Sequence, residues 1–256
     1  MKTPLVSALI AVYNGEPTIA KALDSIKNQS YKNIEIVCVE DGSNDHTLHI
    51  LKKWQSDHPE IKMTIIENKE NIGLAKSLNK GIKKTKGKYI ARIDADDTWT
   101  QDKTKKQMEF LLKNPNHGVI GSFYINKKNK SKKLIRLPVT NEKIKEGMFR
   151  KNPFGHSCII IKKDTIVGVN GYNGDLREDR DLWFRLLNKT KFHNIPEFLV
   201  ARDIGTSHFV SPKELRRNIK TVHTYIQHYK ASPLNYAWLL EPIAVYIYHS
   251  FKKHVS

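Results

Sequence analysis

Apolar and polar positions along the first hundred residues switch repeatedly between two periods. LVSALIAV is an apolar run of strand length, and the next segment places Ile19, Leu23 and Ile26 three and four apart, on one helical face. IEIVCV repeats the strand pattern. Leu48, Leu51 and Trp54 then mark a second helical face, with Ser43 or Asn44 ahead of it as a cap. A third strand, KMTII, follows Pro59; Leu74, Leu78 and Ile82 line a helix over Gly73 to Lys84, closed by Gly87, and KYIARI makes a fourth strand. Strands separated by helices of this length predict a parallel sheet with right-handed crossovers, whose ligands gather at the carboxyl ends of the strands. That rule puts Tyr13 and Asn14, Glu40 and Asp41, Glu67 and Asn68, and the group around Asp94 along one sheet edge.

The second half is less regular. After a helix around Gln107 to Leu112, GVIGSFYI and KLIRL predict two strands joined by NKKNKSKK, a connector with five lysines and no acid. It reads most simply as a solvated hairpin tip, with a contact to an anionic surface as the alternative. SCIIIKK predicts another strand, followed by the glycine-rich GVNGYNG and by REDRDLWFRLLNK, a helix with acids at its start and Leu182, Leu186 and Leu187 packed. Residues 212–230 and 233–254 predict two more helices, the latter bent at Pro242. With no internal repeat or low-complexity linker, the expectation is one α/β domain over residues 1–211 and a C-terminal helical extension over 212–256.

Charge widens the choice of partners more than it narrows it. The 256 residues carry 44 Lys and Arg against 26 Asp and Glu, a formal charge of +18. Nucleic acid, anionic lipid head groups and phosphorylated substrates all suit such a surface. The lysines are scattered while the organised residues are acidic, which argues against nucleic acid as the partner. Cys38 and Cys158 lie in β-branched surroundings with no metal-type spacing, so they read as reduced, buried residues of a cytoplasmic protein. MKTPLVSALIAVYN lacks a small-residue cleavage site and runs straight into fold-forming sequence, and Leu234 to Phe251 is interrupted by Glu241, Pro242 and His249. Neither reads as a signal peptide or a spanning helix.

ARIDADDTW is the exception to the positive charge: Asp94, Asp96 and Asp97 crowd together directly after the fourth strand. Like charges raise one another's pKa and repel unless a cation compensates, and clustered oxygen ligands suit Mg²⁺ or Mn²⁺.

Taken in order, ALIAVYNGE, VEDGSNDHT, NKENIGLAKSLNKGIKKTKGKYIARIDADD and REDRDLWFRLL resemble the successive motifs of family 2 inverting glycosyltransferases with the GT-A fold, from about Pro4 to about Ser211. The resemblance implies a Rossmann-like, mostly parallel central sheet flanked by helices. It also implies transfer of a sugar from a nucleoside diphosphate sugar, UDP being the expected nucleotide, to a hydroxyl of a glycan or lipid-linked acceptor. Tyr13, Asn14 and Glu16 then fall where the family places groups around base and ribose, and Asp41 where an acid accepts from a base ring N–H. Asn71 and Lys76, in the segment with Gly73 and Asn79, are expected at the ribose or phosphates. Asp94 and Ala95 are expected at the sugar nucleotide, and Asp96 with Asp94 at a divalent metal. Asp179 is expected as the base that deprotonates the acceptor hydroxyl, with Glu178 as the substitute. His156 resembles a residue lining the acceptor side, and Trp183 suits either a sugar-pocket wall or the core.

One departure stands out. Where relatives often carry Arg-x-His, with the histidine completing the metal site, this chain has Arg202, Asp203 and Ile204, leaving His208 or Asp203 as substitutes. A catalytically idle sugar-nucleotide binder is the alternative that this departure raises. The basic surface and the aromatics Tyr236, Trp238, Tyr246 and Tyr248 near Lys252 and Lys253 suit peripheral contact with the inner face of an anionic membrane, or packing of the terminal helices.

Overall fold

The computed structural model describes residues 3–129, 131–148, 151–173 and 177–203. The expected C-terminal helices, Ile204, His208 and the aromatic tail lie outside the described residues.

The first half alternates strand and helix as the periodicity predicts: β1 (Val6–Val12), α1 (Ile19–Lys27), β2 (Ile34–Glu40), α2 (Thr47–Asp57), β3 (Met63–Glu67), α3 (Leu74–Lys84) and β4 (Tyr89–Arg92). The four strands run parallel in the order β3-β2-β1-β4. Strand β1 is buried throughout because the sheet is covered on both faces. Val6, Ala8, Ile10 and Val12 join Leu23, Ile26, Leu51 and Trp54 of α1 and α2 in one apolar layer. Leu9 and Ala11 turn to the other, against Ala75, Leu78 and Ile82 of α3.

The remaining elements are β5 (Thr98–Trp99), α4 (Lys103–Lys113), β6 (His117–Lys128), β7 (Ser131–Ile135), α5 (Asn141–Gly147), a 3₁₀ turn at His156–Cys158, β8 (Ile160–Lys162), α6 (Lys163–Val167), α7 (Glu178–Leu186) and β9 (Lys191–Asp203). Strand β8 pairs antiparallel with β4 and β6, β9 lies parallel to β6, and β5 closes the far edge against β9. The sheet is thus parallel at one end and mixed at the other. Cys38 and Cys158 are buried free thiols.

Two local expectations change. The start of α2 is held by Asp45, whose Oδ1 accepts from the Thr47 N–H at 3.0 Å, whereas Ser43 Oγ accepts from the Asn14 N–H. In the basic hairpin Lys127, Lys128, Lys132 and Lys133 are strand residues, with Lys127 directly opposite Lys132. Among the described residues no helix is long and apolar enough to cross a membrane.

Candidate active site

The loops that leave the carboxyl ends of β1, β2 and β3 are tied to one another. Asn14 Oδ1 accepts from the Asn44 N–H (2.9 Å), Asn44 Nδ2 donates to Tyr13 Oη (3.2 Å), and Glu16 Oε2 accepts from the His46 N–H (2.9 Å). Tyr13 remains 44% exposed, an aromatic face offered to solvent at the sheet edge. Such a face suits stacking on a planar base. The backbone N–H of His46, and then its ring, hold the Glu16 carboxyl below its ordinary pKa.

Asp41, expected at a base ring N–H, follows β2 directly. It is only 3% exposed, and its oxygens are engaged within the chain. Oδ1 accepts from Asn68 Nδ2 (2.7 Å) and the Ile72 N–H (3.0 Å), and Oδ2 from the Gly73 N–H (3.0 Å). The Asn68 amide is itself fixed, because its Oδ1 accepts from Lys80 Nζ and its Nδ2 also donates to Ser77. The carboxylate therefore anchors the loop before α3, which carries exposed Asn71 and Lys76 on the same edge. Two glycines make the tight path feasible. Gly42 has φ +71°, and a Cβ there would meet the Glu70 backbone at 2.5 Å; Gly73 has φ +89°.

The acidic turn is built on a buried cation. Arg92, the last residue of β4, has no exposed surface and pairs with Asp94 Oδ1 at 2.5 Å. Ser157 closes the other side, accepting from the Asp94 N–H and donating to Asp94 Oδ2. Burial alone would raise the Asp94 carboxyl, but the Arg92 guanidinium, joined by His156 and Arg202, overcomes it and holds the group down to about 2. Asp97 has the opposite fate: burial, with Asp94 alongside, pushes it up to about 7, although Arg202 Nε lies 3.5 Å from its Oδ2. Burial and Asp94 likewise push up Asp96, which stays exposed at the tip. Oxygens of Asp94, Asp96 and Asp97 all lie within 4.8 Å of one another. Three hard ligands at this spacing, one of them with a buried oxygen lacking a hydrogen bond, fit a divalent cation. Ala95 lies within the turn, packed beside the α1 and α2 layer.

The start of α7 brings a second acidic group within electrostatic reach of Arg92 and Asp94. Glu178 is half-buried, and burial together with its neighbour Asp179 pushes its carboxyl up. Asp179 Oδ2 accepts from Asn152 Nδ2 at 2.5 Å. His156 is buried instead of lining an open acceptor surface. Its Nε2 meets Tyr172 Oη at 2.9 Å, its Nδ1 lies 3.7 Å from Glu178, and burial and then Arg92 drive its pKa well below the ordinary value, leaving it neutral. Trp183 fills the core with 0% exposure and walls no open pocket. Asn79 ties α3 to the segment ahead of α7, its amide bonding both the N–H and the C=O of Tyr172, 93 residues away, at 2.8 and 2.7 Å.

Arg92, Asn152, Ser157 and Tyr172 are site residues that the sequence patterns do not single out. Only Arg92 leaves a signal, as a lone charge inside the apolar run YIARI. The others owe their place to segments that meet only in three dimensions.

A Rossmann-like half-sheet with a carboxylate turn at the end of its fourth strand and an acidic helix start facing it defines a GT-A glycosyltransferase. Residues 7–167 match the model of glycosyl transferase family 2, and the chain belongs to that family. It is 30% identical over 208 residues to the amylovoran biosynthesis glycosyltransferase AmsE of Erwinia amylovora, covering 79% of this chain and 77% of that one. It is 34% identical over 203 residues to the putative glycosyltransferase EpsE of Bacillus subtilis, covering 77% and 72% of the two chains. The S. aureus TarS 1–349 crystal structure superposes with a TM-score of 0.71 at 17% identity, over 93% of this chain and 70% of that one. The mannosyltransferase PcManGT from Pyrobaculum calidifontis, solved with GDP-Man and Mn²⁺, superposes at 0.68 with 18% identity, over 95% and 70%. The protein is a family 2 glycosyltransferase.

Proposed function

We propose that this enzyme transfers a sugar, with inversion, from a UDP-sugar to a hydroxyl of a growing glycan, free or lipid-linked, in the building of a cell-surface polysaccharide. The observation that carries it is the buried Arg92, which pairs with Asp94 of the carboxylate turn and also feels the charge of Glu178 at the acidic start of α7. The polysaccharide follows the names of relatives such as AmsE and the O-antigen biosynthesis glycosyltransferase WbnJ of Escherichia coli. A sugar nucleotide is supported by TarS, solved with UDP and with UDP-GlcNAc, and by PcManGT with GDP-Man.

Tyr13 offers the nucleobase a stacking face, and Asn71 and Lys76 sit where ribose and phosphates would pass. Asp94, Asp96 and Asp97 would hold Mn²⁺ or Mg²⁺, which offsets charge on the departing nucleoside diphosphate when bound. Asp203, whose N–H donates to Asp97 Oδ1, brings a further oxygen donor to the same edge. Asp179 takes the proton of the acceptor hydroxyl as its oxygen attacks the anomeric carbon opposite the diphosphate. Glu178, half-buried beside it and pushed up by burial and then by Asp179, is the substitute base. The exposed hairpin lysines Lys127, Lys128, Lys132 and Lys133 suit an anionic membrane displaying lipid-linked acceptors.

The test is calorimetric titration of UDP, GDP and dTDP with and without Mn²⁺, followed by turnover of the matching sugar nucleotides. UDP should bind best, only with metal, and lose binding in Asp96→Ala. Asp179→Asn should keep nucleotide affinity and lose about 10²–10⁴ in kcat. Nucleotide binding with no turnover of any sugar would instead mark an idle relative, and binding without metal would refute the role of the acidic turn.

A further inference from the structure

Asp179 is held by a side chain whose orientation is dictated by the core. Asn152 Oδ1 accepts from Trp183 Nε1 (3.1 Å) and from the Phe154 N–H (3.3 Å), while its Nδ2 donates to Asp179 Oδ2 (2.5 Å). Reversing the amide would turn its NH₂ against two N–H donors, so one orientation survives. Trp183 itself cannot shift: it has no exposed surface and packs edge-on against Phe154, ring centroids 5.0 Å apart, and Phe154 packs on Phe192. The other Asp179 oxygen accepts from the Arg180 N–H at 2.6 Å.

We infer that Asn152 is a positioning residue for the transfer reaction, aiming the Asp179 carboxylate through a hydrogen bond fixed in direction by Trp183. The inference rests on Asp179 being the base. The chemistry favours an amide here. A lysine or arginine would also pin the carboxylate but would add a full positive charge that stabilises its ionised form and weakens it as a proton acceptor, whereas a neutral amide adds no such charge. Glu178 has a weaker neighbour, the neutral His156, whose Nδ1 stands 3.7 Å away. The six residues from Asn152 to Ser157 thus hold both halves of the site, Asn152 reaching Asp179 and Ser157 reaching Asp94.

The test compares wild type, Asn152→Ala, Asn152→Asp, Trp183→Phe and Asp179→Ala, using the sugar nucleotide that wild type consumes fastest from a panel of UDP-, GDP- and dTDP-sugars. A misaimed base costs turnover and leaves substrate binding alone. Both Asn152 variants should lose about 10–100-fold in kcat, with donor KM and calorimetric affinity for the free nucleotide within about twofold of wild type. Trp183→Phe keeps most of the ring volume and loses the indole N–H, so it should lose less, about 3–10-fold. A side-chain amide ¹⁵N–¹H₂ pair assigned to Asn152 should shift in Asp179→Ala. If Asp179→Ala is inactive while Asn152→Ala turns over like wild type, the positioning role fails on its own. If Asp179→Ala remains active, the base assignment fails, and the positioning role falls with it.

Discussion

Asp41→Asn separates two accounts of the same carboxylate. The family resemblance expects Asp41 at a nucleobase, and in the structure its oxygens also hold the loop before α3. Asparagine preserves the shape and exchanges one oxygen for an NH₂. In its better orientation the amide oxygen replaces Oδ1 and keeps the bonds from Asn68 and Ile72, and the NH₂ then faces the Gly73 N–H, donor against donor. The bond lost is charge-assisted, a class worth about 1.5–3 kcal/mol. The Gly73 N–H retains one other acceptor, Asn71 Oδ1 at 3.0 Å, which limits the damage to that range. For a domain of this size the loss corresponds to a fall in Tm of about 3–12 °C, read by thermal unfolding of the nucleotide-free protein. Nucleotide affinity, measured in parallel, should fall less than stability does. An Asp41→Asn protein that melts with wild type but no longer binds any nucleotide would refute the loop-anchor account and restore the acid to the base.

Two further expectations concern buried charge. Lys103 is fully buried with the Trp99 ring 4.1 Å from its ammonium, and burial pushes its pKa down to about 7. The unfolded chain therefore binds more protons between pH 7 and about 10.4, and stability rises with pH across that window. Lys103→Met should raise stability at pH 7 by about 1–3 kcal/mol and flatten that rise, and a less stable variant in urea titrations would show that the lysine is worth more than its burial costs. Asp97, pushed up to about 7, has the opposite linkage: its contribution to stability is fully present below about pH 3.9 and is lost as pH climbs through 7. A cation held there must displace that proton, so Mn²⁺ affinity should rise about tenfold from about pH 6 to about pH 8 in wild type; an equally steep rise in Asp97→Asn would assign the proton elsewhere.

How far the site is legible in the sequence depends on how each residue is held. Asp94, Asp96 and Asp97 are near neighbours in the chain, as are Glu178 and Asp179, so both clusters are visible locally, and the family resemblance supplies the roles expected of them. Asn152, Ser157 and Tyr172 act through partners 27, 63 and 93 residues away, and no window along the chain contains such a pair. The sequence leaves His156 and Trp183 open between pocket and core, and the core takes them because a polar aromatic can be buried once a polar atom finds a partner, as Tyr172 and Asn152 provide.

The sequence by itself determined the alternation of strands and helices, the parallel order of the first half and the edge on which the loops gather, because period and connection length act locally and chirality limits the crossovers. The tertiary structure alone decided the antiparallel pairing of β8 with β4, which carries Ser157 to Asp94, and the burial of Arg92 against the same carboxylate. It also decided which carboxylates face solvent and which are spent on the fold. Those outcomes depend on burial and on partners brought from distant segments, and both exist only after the chain has closed on its core.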